Sequence, residues 1–316
     1  MKISLITPAA KASRTGNRTT AARWATILRA LGHRVHVAVT YQDEPADLMV
    51  ALHAWRSAAS IARFRDRFAE RPLIVALTGT DIYRFIHEDP KPTLRSLDLA
   101  DALVGLHALV SDAIPAQHHA KLTIIYQSAR PVARIAPRRN SFDVLVVANL
   151  REEKDPLRTA EAARLLPAES RLRVIHLGGA HDATWAQRAQ TEMAQNPRYA
   201  WRGEVPSWAV RKAYARASLL VLSSVMEGGA NVISEAVAAG LPVVASKIAG
   251  SVGLLGDGYP GYYPVGDTTA LAQTLRRAEE DSAFLDALRQ QCAARAALFT
   301  PERERNAWRD LLARVA

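Results

Sequence analysis

Two glutamates, Glu227 and Glu235, stand eight positions apart in the stretch "SSVMEGGANVISEAVAAGLPVVAS" from Ser223 to Ser246. Between them lie Gly228, Gly229 and the start of an apolar helical pattern. The run "SLLVLSS" just before reads as a strand, so the loop "VMEGGAN" leaves a strand at its carboxyl end. Adjacent glycines let a backbone approach a ligand closely. Asn231 reads as the N-cap of the following helix, whose free N–H groups suit an anion such as a phosphate. Glu227 then lies in the loop beside that anion. Glu235, about one turn into the helix, can accept hydrogen bonds from a vicinal diol such as a ribose. One acid per sugar ring, with a diphosphate between them, accounts for the spacing. A plainer reading of Glu235 is an acid that suits the helix dipole, but it leaves the glycines and the second acid unexplained.

The elements that would position such a loop repeat along the chain. Short β-type runs such as "KISLITPA", "RVHVAVTY", "DLMVALHA", "PLIVALTGTD", "ADALVGLH" and "KLTIIYQSA" alternate with helical patterns such as "NRTTAARWATILRALGH". That alternation predicts parallel sheets wrapped by helices. It breaks in "ARPVARIAPRRNS", which holds two prolines and four arginines without periodicity and reads as a linker. After it "FDVLVVANL", "LRVIHLGGA", "YAWRGEV", "SLLVLSS" and "LPVVASK" resume the alternation, and "TPERERNAWRDLLARV" closes it as an amphipathic helix with Pro301 in its first turn. The fold class is α/β: two doubly wound domains facing a central cleft at the carboxyl ends of their strands, where open sheets bind ligands.

The composition narrows the function. A length of 316 residues suits two domains, and 49% hydrophobic with 23% charged residues is ordinary for a globular chain. The single cysteine, Cys292, excludes an intrachain disulfide and reads as packing. No apolar run is long enough to span a membrane, and "MKISLITPAA" is too short for a signal-peptide core, so the expected compartment is the cytoplasm. The formal net charge of +10 comes from arginines scattered along amphipathic helices, as in "IARFRDRFAER", which argues against a nucleic-acid partner. No spacing matches a metal site, so neither a metal nor a cofactor is expected. The neighbours His118 and His119 point apart and do not form a ligand pair, and Trp24 reads as packing.

"EGGANVISEA" followed by "GLPVVAS" resembles the E-x7-E signature and following strand of the family-4 glycosyltransferases, retaining enzymes of GT-B fold. Within them, "TPAAKASRTGNRTTAARW", "DLMVALHAWRSA", "PLIVALTGTDIY", "LREEKDPLRTAEAARLLP", "HLGGA" and "GYPGYYPVGD" are similar to the selenosugar synthases of selenoneine biosynthesis, so the likeness spans most of the chain. The resemblance divides the chain into an acceptor-side domain over 1–132, with a helix at 301–316 packing back on it, and a nucleotide-sugar domain over 141–300.

The resemblance also assigns roles. Glu235 would hold the nucleotide ribose and Glu227 would lie near the transferred sugar. Gly228, Gly229, Ala230, Asn231 and Val232 would contact sugar and diphosphate. Lys154 matches the family's diphosphate-clamping lysine. Asn149 takes the place of the clamping arginine, and Arg151, two residues on, is the candidate to replace it. Gly203, Glu204 and Val205 resemble the wall that reads the base, and Gly178 is a further donor contact at a strand end. In the first domain Gly16, Asn17, Arg14, Arg18 and Lys11 make a cationic loop suited to a second anion, selenophosphate. Thr78 stands where the family often has His, Thr80 and Asp81 are the polar groups at that strand end, and His53 is placed to face the cleft. Catalytic candidates are thus Glu227, Lys154, Arg151 and His53. The reaction implied is attack of selenium on the anomeric carbon of a UDP-hexose, with UDP leaving. The partners are small-molecule substrates, with neither nucleic acid nor membrane, and the oligomeric state is open. An oxygen acceptor on the same enzyme, a UDP-sugar isomerase on the same fold and a nucleic-acid-binding module are the alternatives.

Overall fold

The computed structural model describes residues 1–9, 16–136, 138 and 140–315. They fall into two compact units: Met1–Gln127 with Glu227–Gly229 and Pro301–Ala316, and Ser128–Met226 with Ala230–Thr300.

In the first unit, strands β1 (Lys2–Ile6), β2 (Arg34–Ala38), β3 (Leu48–Leu52), β4 (Leu73–Ala76), β5 (Ala102–Gly105) and β6 (Leu122–Ile124) run parallel in the order β2-β1-β3-β4-β5-β6. Helices α1 (Gly16–Ala30), α2 (Ala58–Arg67), α3 (Ile86–Glu88) and α4 (Pro90–Leu99) connect them, with a π-helical turn at Asp81–Phe85. The interior strands β3, β4 and β5 are apolar throughout because both faces are covered, while β1 buries one polar residue, Ser4, whose hydroxyl donates to Glu44 at 2.8 Å. Successive side chains go to opposite faces: Leu48, Val50 and Leu52 of β3 join one core cluster, while Met49 and Ala51 join the other. The first cluster takes Ala21, Trp24 and Leu28 from α1 and Trp308, Leu311 and Leu312 from the C-terminal helix; the second takes Ile61 and Phe64 from α2 and Leu97 from α4. Trp24 meets Trp308 edge to face at 4.8 Å and donates to Glu304 at 2.8 Å.

In the second unit, β7 (Phe142–Val147), β8 (Leu172–Leu177), β9 (Tyr199–Trp201), β10 (Leu219–Leu222), β11 (Val243–Ser246) and β12 (Tyr262–Tyr263) run parallel in the order β12-β11-β10-β7-β8-β9. Its helices are α5 (Arg158–Arg164), α6 (Ala183–Gln195), α7 (Ser207–Arg216), α8 (Asn231–Ala238), α9 (Ala249–Leu255), α10 (Thr268–Glu280) and α11 (Ser282–Arg295). The C-terminal helix, α12, spans Pro301–Val315. In each sheet the strand order reverses once, between β1 and β3 and between β7 and β10. Those switch points open a crevice beyond the carboxyl ends of the strands.

Three sequence expectations change. The segment read as a linker is tied down at the end of α7: Arg134 donates to the carbonyls of Tyr214 and Ala217, both at 2.7 Å, and Ile135 N–H donates to Ala215 at 2.9 Å. These are carbonyls that a helix end leaves without intrahelical partners. The expected glycine loop is helix from Gly16 on, and Gly16 takes no positive φ, so Gly16, Asn17 and Arg18 form the first turn of α1. Lys11 and Arg14 lie outside the described residues. Asn231 is the first helical residue of α8 rather than its N-cap; Ala230, buried at φ −70° and ψ 92°, precedes the helix with no side-chain cap.

Candidate active site

In the second unit the loops after β7 and β10, at the switch point, are clasped through the main chain. Ser223 Oγ donates to the carbonyls of Lys154 (3.1 Å) and Asp155 (2.8 Å), and Val225 N–H donates to Glu153 O at 3.0 Å. Asp155 takes a left-handed φ of 42°, and its carboxylate holds Arg158 at 2.7 Å, which reaches Thr268 at 2.6 Å. Lys154 is thereby fixed at the end of a half-buried 3₁₀ turn, Glu152–Lys154. Arg151 Nε lies 3.1 Å from Glu153 Oε1, an ion pair that lacks hydrogen-bond geometry, so among the described residues that buried Nε has no hydrogen-bond partner.

Asn149 does not act as a cation here. Its side-chain oxygen accepts the Gly179 N–H at 3.1 Å and braces the neighbouring strand end. A Cβ on Gly178 would stand 1.9 Å from Ala148 O, so only glycine allows the two strand ends to meet. Behind them His176 is fully buried; Nε2 donates to Ala148 O and Nδ1 accepts from Tyr199 Oη, both at 2.8 Å. Burial pushes its pKa down to about 4. Gly203, at φ 66°, accepts the Gly178 N–H at 2.9 Å. Glu204 stands exposed beside Gly179, and Val205 is half-buried.

Glu235 is the fifth residue of α8, and no acid lies in that helix's first turn. The dipole's effect is confined to that first turn, so helix stability does not account for Glu235. Tyr214, 2% exposed, stands against the same helix with its hydroxyl 3.4 Å from Val232 O and hydrogen-bonded to the Glu235 carboxylate. Burial, and then the Glu235 charge, drive the Tyr214 pKa well above the ordinary tyrosine value.

Glu227, Gly228 and Gly229 pack within the first unit. A Cβ on Gly228 would lie 2.1 Å from the Thr78 carbonyl carbon, one on Gly79 (φ 126°) 2.6 Å from Gly228 N, and one on Gly229 2.5 Å from Leu106 Cβ. The space a Cβ would take at these glycines is therefore filled by the chain's own Thr78–Gly79 turn and by Leu106.

That turn is built around Asp81. Its carboxylate is wholly buried and accepts N–H groups from Ala54 (3.0 Å), Thr78 (3.1 Å), Gly79 (2.7 Å) and Ile82 (3.2 Å). An acceptor saturated in this way shapes the turn and has no proton to offer an anion, which departs from its expected role in anion binding. His53, at the end of β3, has φ 73°, rare outside glycine. Its ring is 2% exposed, with Nδ1 accepting Arg56 N–H at 3.1 Å and Nε2 2.9 Å from Thr80 Oγ1. Burial lowers its pKa, and Asp81 opposes the shift.

Sequence reasoning passed over Tyr214, Tyr83 and His107. His107 ends β5 in the same Leu-His-Ala setting that ends β3 at His53, and that repeat was a usable signal. Among the described residues no group of three His, Cys, Asp or Glu is placed to hold a metal ion. Among them, too, no helix is long and apolar enough to cross a membrane.

The family described as "Glycosyl transferases group 1" matches residues 132–298. Comparison with curated proteins finds no match. Among solved structures, HepE of Anabaena, in complex with UDP and glucose, is 17% identical with a TM-score of 0.78, covering 99% of this chain and 100% of that one. Sucrose-phosphate synthase of Thermosynechococcus elongatus is 17% identical at TM-score 0.80, over 99% of this chain and 98% of that one. A glycosyltransferase of Rickettsia africae ESF-5 is 14% identical at TM-score 0.71, over 99% and 98%.

Proposed function

Because the chain belongs to the group 1 glycosyl transferases and has the two-sheet GT-B fold, we propose that it transfers a hexose, glucose or N-acetylglucosamine, from a UDP-sugar to selenophosphate. The observation that carries the donor half is the Glu235 carboxylate, set one turn into α8 and hydrogen-bonded by buried Tyr214. Fixed in this way, it suits the two hydroxyls of a ribose. HepE, alike in fold over its whole length, is a complex with UDP and glucose, which supports the same donor. Lys154, with Arg151 beside it, would neutralise charge growing on the diphosphate as the glycosidic bond breaks.

The acceptor half rests on the motif resemblance and on Arg18. A cation in the first turn of α1 opposes the helix dipole unless an anion offsets it. In the reaction a selenium lone pair forms the C–Se bond, the anomeric C–O bond breaks, and its electron pair leaves with UDP. Water then cleaves Se–P to release phosphate and the selenosugar. Stereochemical retention is the outcome expected of this family resemblance.

The test is a product assay with UDP-glucose or UDP-N-acetylglucosamine and selenophosphate generated in place. A product with selenium's isotope pattern, matched by UDP, supports the reading. UDP release only with an oxygen acceptor keeps the transferase and removes selenium. Conversion of the UDP-sugar into an isomer, with no acceptor and no matching UDP release, favours the isomerase. Salt-sensitive nucleic-acid binding with no turnover removes the enzyme altogether.

A further inference from the structure

His53 and His107 share one arrangement at the carboxyl ends of β3 and β5. Each Nδ1 accepts a backbone N–H from its own following turn, Arg56 at 3.1 Å and Leu109 at 3.2 Å. Each ring is buried, and burial lowers both pKa values, that of His107 to about 4, so both are neutral at neutral pH. A neutral imidazole carries one ring proton, and a nitrogen that accepts cannot carry it. The proton is therefore on Nε2 in both. Each Nε2 meets a hydroxyl at 2.9 Å, Thr80 Oγ1 for His53 and Tyr83 Oη for His107.

Those hydroxyls thus receive a hydrogen bond and have their own O–H left to give. Among the described residues neither has a second partner. Both sit on one turn, Thr80–Tyr83, which the buried Asp81 holds rigid, and Tyr83 and His107 lie with rings near parallel at 12°. Two more hydroxyls stand at neighbouring strand ends: Thr7 Oγ1 after β1 and Thr78 Oγ1 after β4 are buried and have no hydrogen-bond partner among the described residues. Within the same unit the turn carries the Glu227–Gly229 segment against Thr78 and Gly79.

We propose that Thr80 and Tyr83 are specificity-determining hydroxyl donors, kept in the donating state by His53 and His107, which read a lone-pair oxygen of the substrate. That oxygen belongs either to a hydroxyl of the transferred hexose or to an oxyanion of the acceptor. The ligand assignment rests on the hexosyl-transfer reading; the arrangement of protons does not. His53 and His107 are positioning residues, since each acts through the hydroxyl it holds.

Nitrogen-15 NMR of histidine-labelled protein at neutral pH tests the relay without any turnover. Both rings are expected as Nε2–H tautomers, with the His107 Nε2 signal moving in Tyr83→Phe. An Nδ1–H tautomer at either position overturns the relay. Kinetics on the full-length protein test the ligand. Tyr83→Phe and Thr80→Val are each expected to lower kcat/KM about 10-fold, the worth of one hydrogen bond in a water-poor site. His107→Gln, which restores an N–H near the Nε2 position, should retain more activity than His107→Ala; equal loss in both argues for a merely structural histidine and against the proposal. A loss seen in KM for the UDP-hexose assigns the oxygen to the sugar, and one seen in KM for the acceptor assigns it to the oxyanion. Unchanged constants for both substrates in Tyr83→Phe and Thr80→Val overturn the donor role alone. A wild-type protein that turns over no UDP-hexose removes the transfer reading and the ligand assignment together.

Discussion

Glu235 and Tyr214 set the terms at the scale of single residues. A carboxylate that already has a buried hydroxyl on it is oriented before a ligand arrives, which reduces the entropy lost on binding. Glu235→Gln is expected to weaken UDP-sugar binding by about 1.5–3 kcal/mol, the range for hydrogen bonds to a charged group. Tyr214→Phe should cost about 1 kcal/mol of that affinity while leaving secondary structure intact. Titration calorimetry with UDP decides both, and unchanged affinity in Glu235→Gln removes the ribose role. The place of Glu235 about one turn into a helix was legible, because an apolar helical pattern follows the two glycines. Tyr214 was not, because nothing local in "RKAYARAS" tells which face of α7 meets α8. The same limit hid the partner of Asn149, whose acceptor role depends on a strand end thirty positions away.

At the scale of elements, the strands were readable as apolar runs and the loops after β7 and β10 fell at the switch point that the alternation implies. The glycines were harder. Their sequence says only that a side chain is excluded, and the excluding atoms are supplied by the Thr78–Gly79 turn and Leu106. The linker likewise reads as loose from its prolines, yet Arg134 finds the carbonyls that end α7. These observations give a paired stability test. Gly228→Ala places a Cβ against rigid backbone at 2.1 Å and is expected to cost about 1–3 kcal/mol or more, as overpacking does. Gly258→Ala, with nothing within 4 Å, should stay within about 0.5 kcal/mol. Urea unfolding measures both, and equal effects would mean that the close approach at Gly228 is not a constraint.

For the whole molecule, buried neutral histidines in both units set a pH dependence. His107 and His176 have folded pKa values of about 4, against about 6.5 in an unfolded chain. Between those values the unfolded chain binds more protons, so stability is full above the upper value and falls as pH drops toward the lower one. Each contributes on the order of 3 kcal/mol across the window, at 1.36 kcal/mol per pKa unit. Urea midpoints at pH 7.5, 6 and 4.5 should fall in that order, and a flat profile would mean that these rings are charged or exposed in the fold.

The pairing of Trp24 with Trp308 joins residues at opposite ends of the sequence inside one core cluster. A ribosome delivers the β1–β6 sheet first and the helix that covers one of its faces last, after the whole β7–β12 sheet has emerged. The first-made half of this protein is consequently the last to close, and a nascent chain keeps the Trp24 face of α1 uncovered for most of its synthesis. Chaperones that bind exposed aromatic surface thus have a long interval in which to act on it, whereas the second unit, continuous but for three residues, can close as soon as it is made.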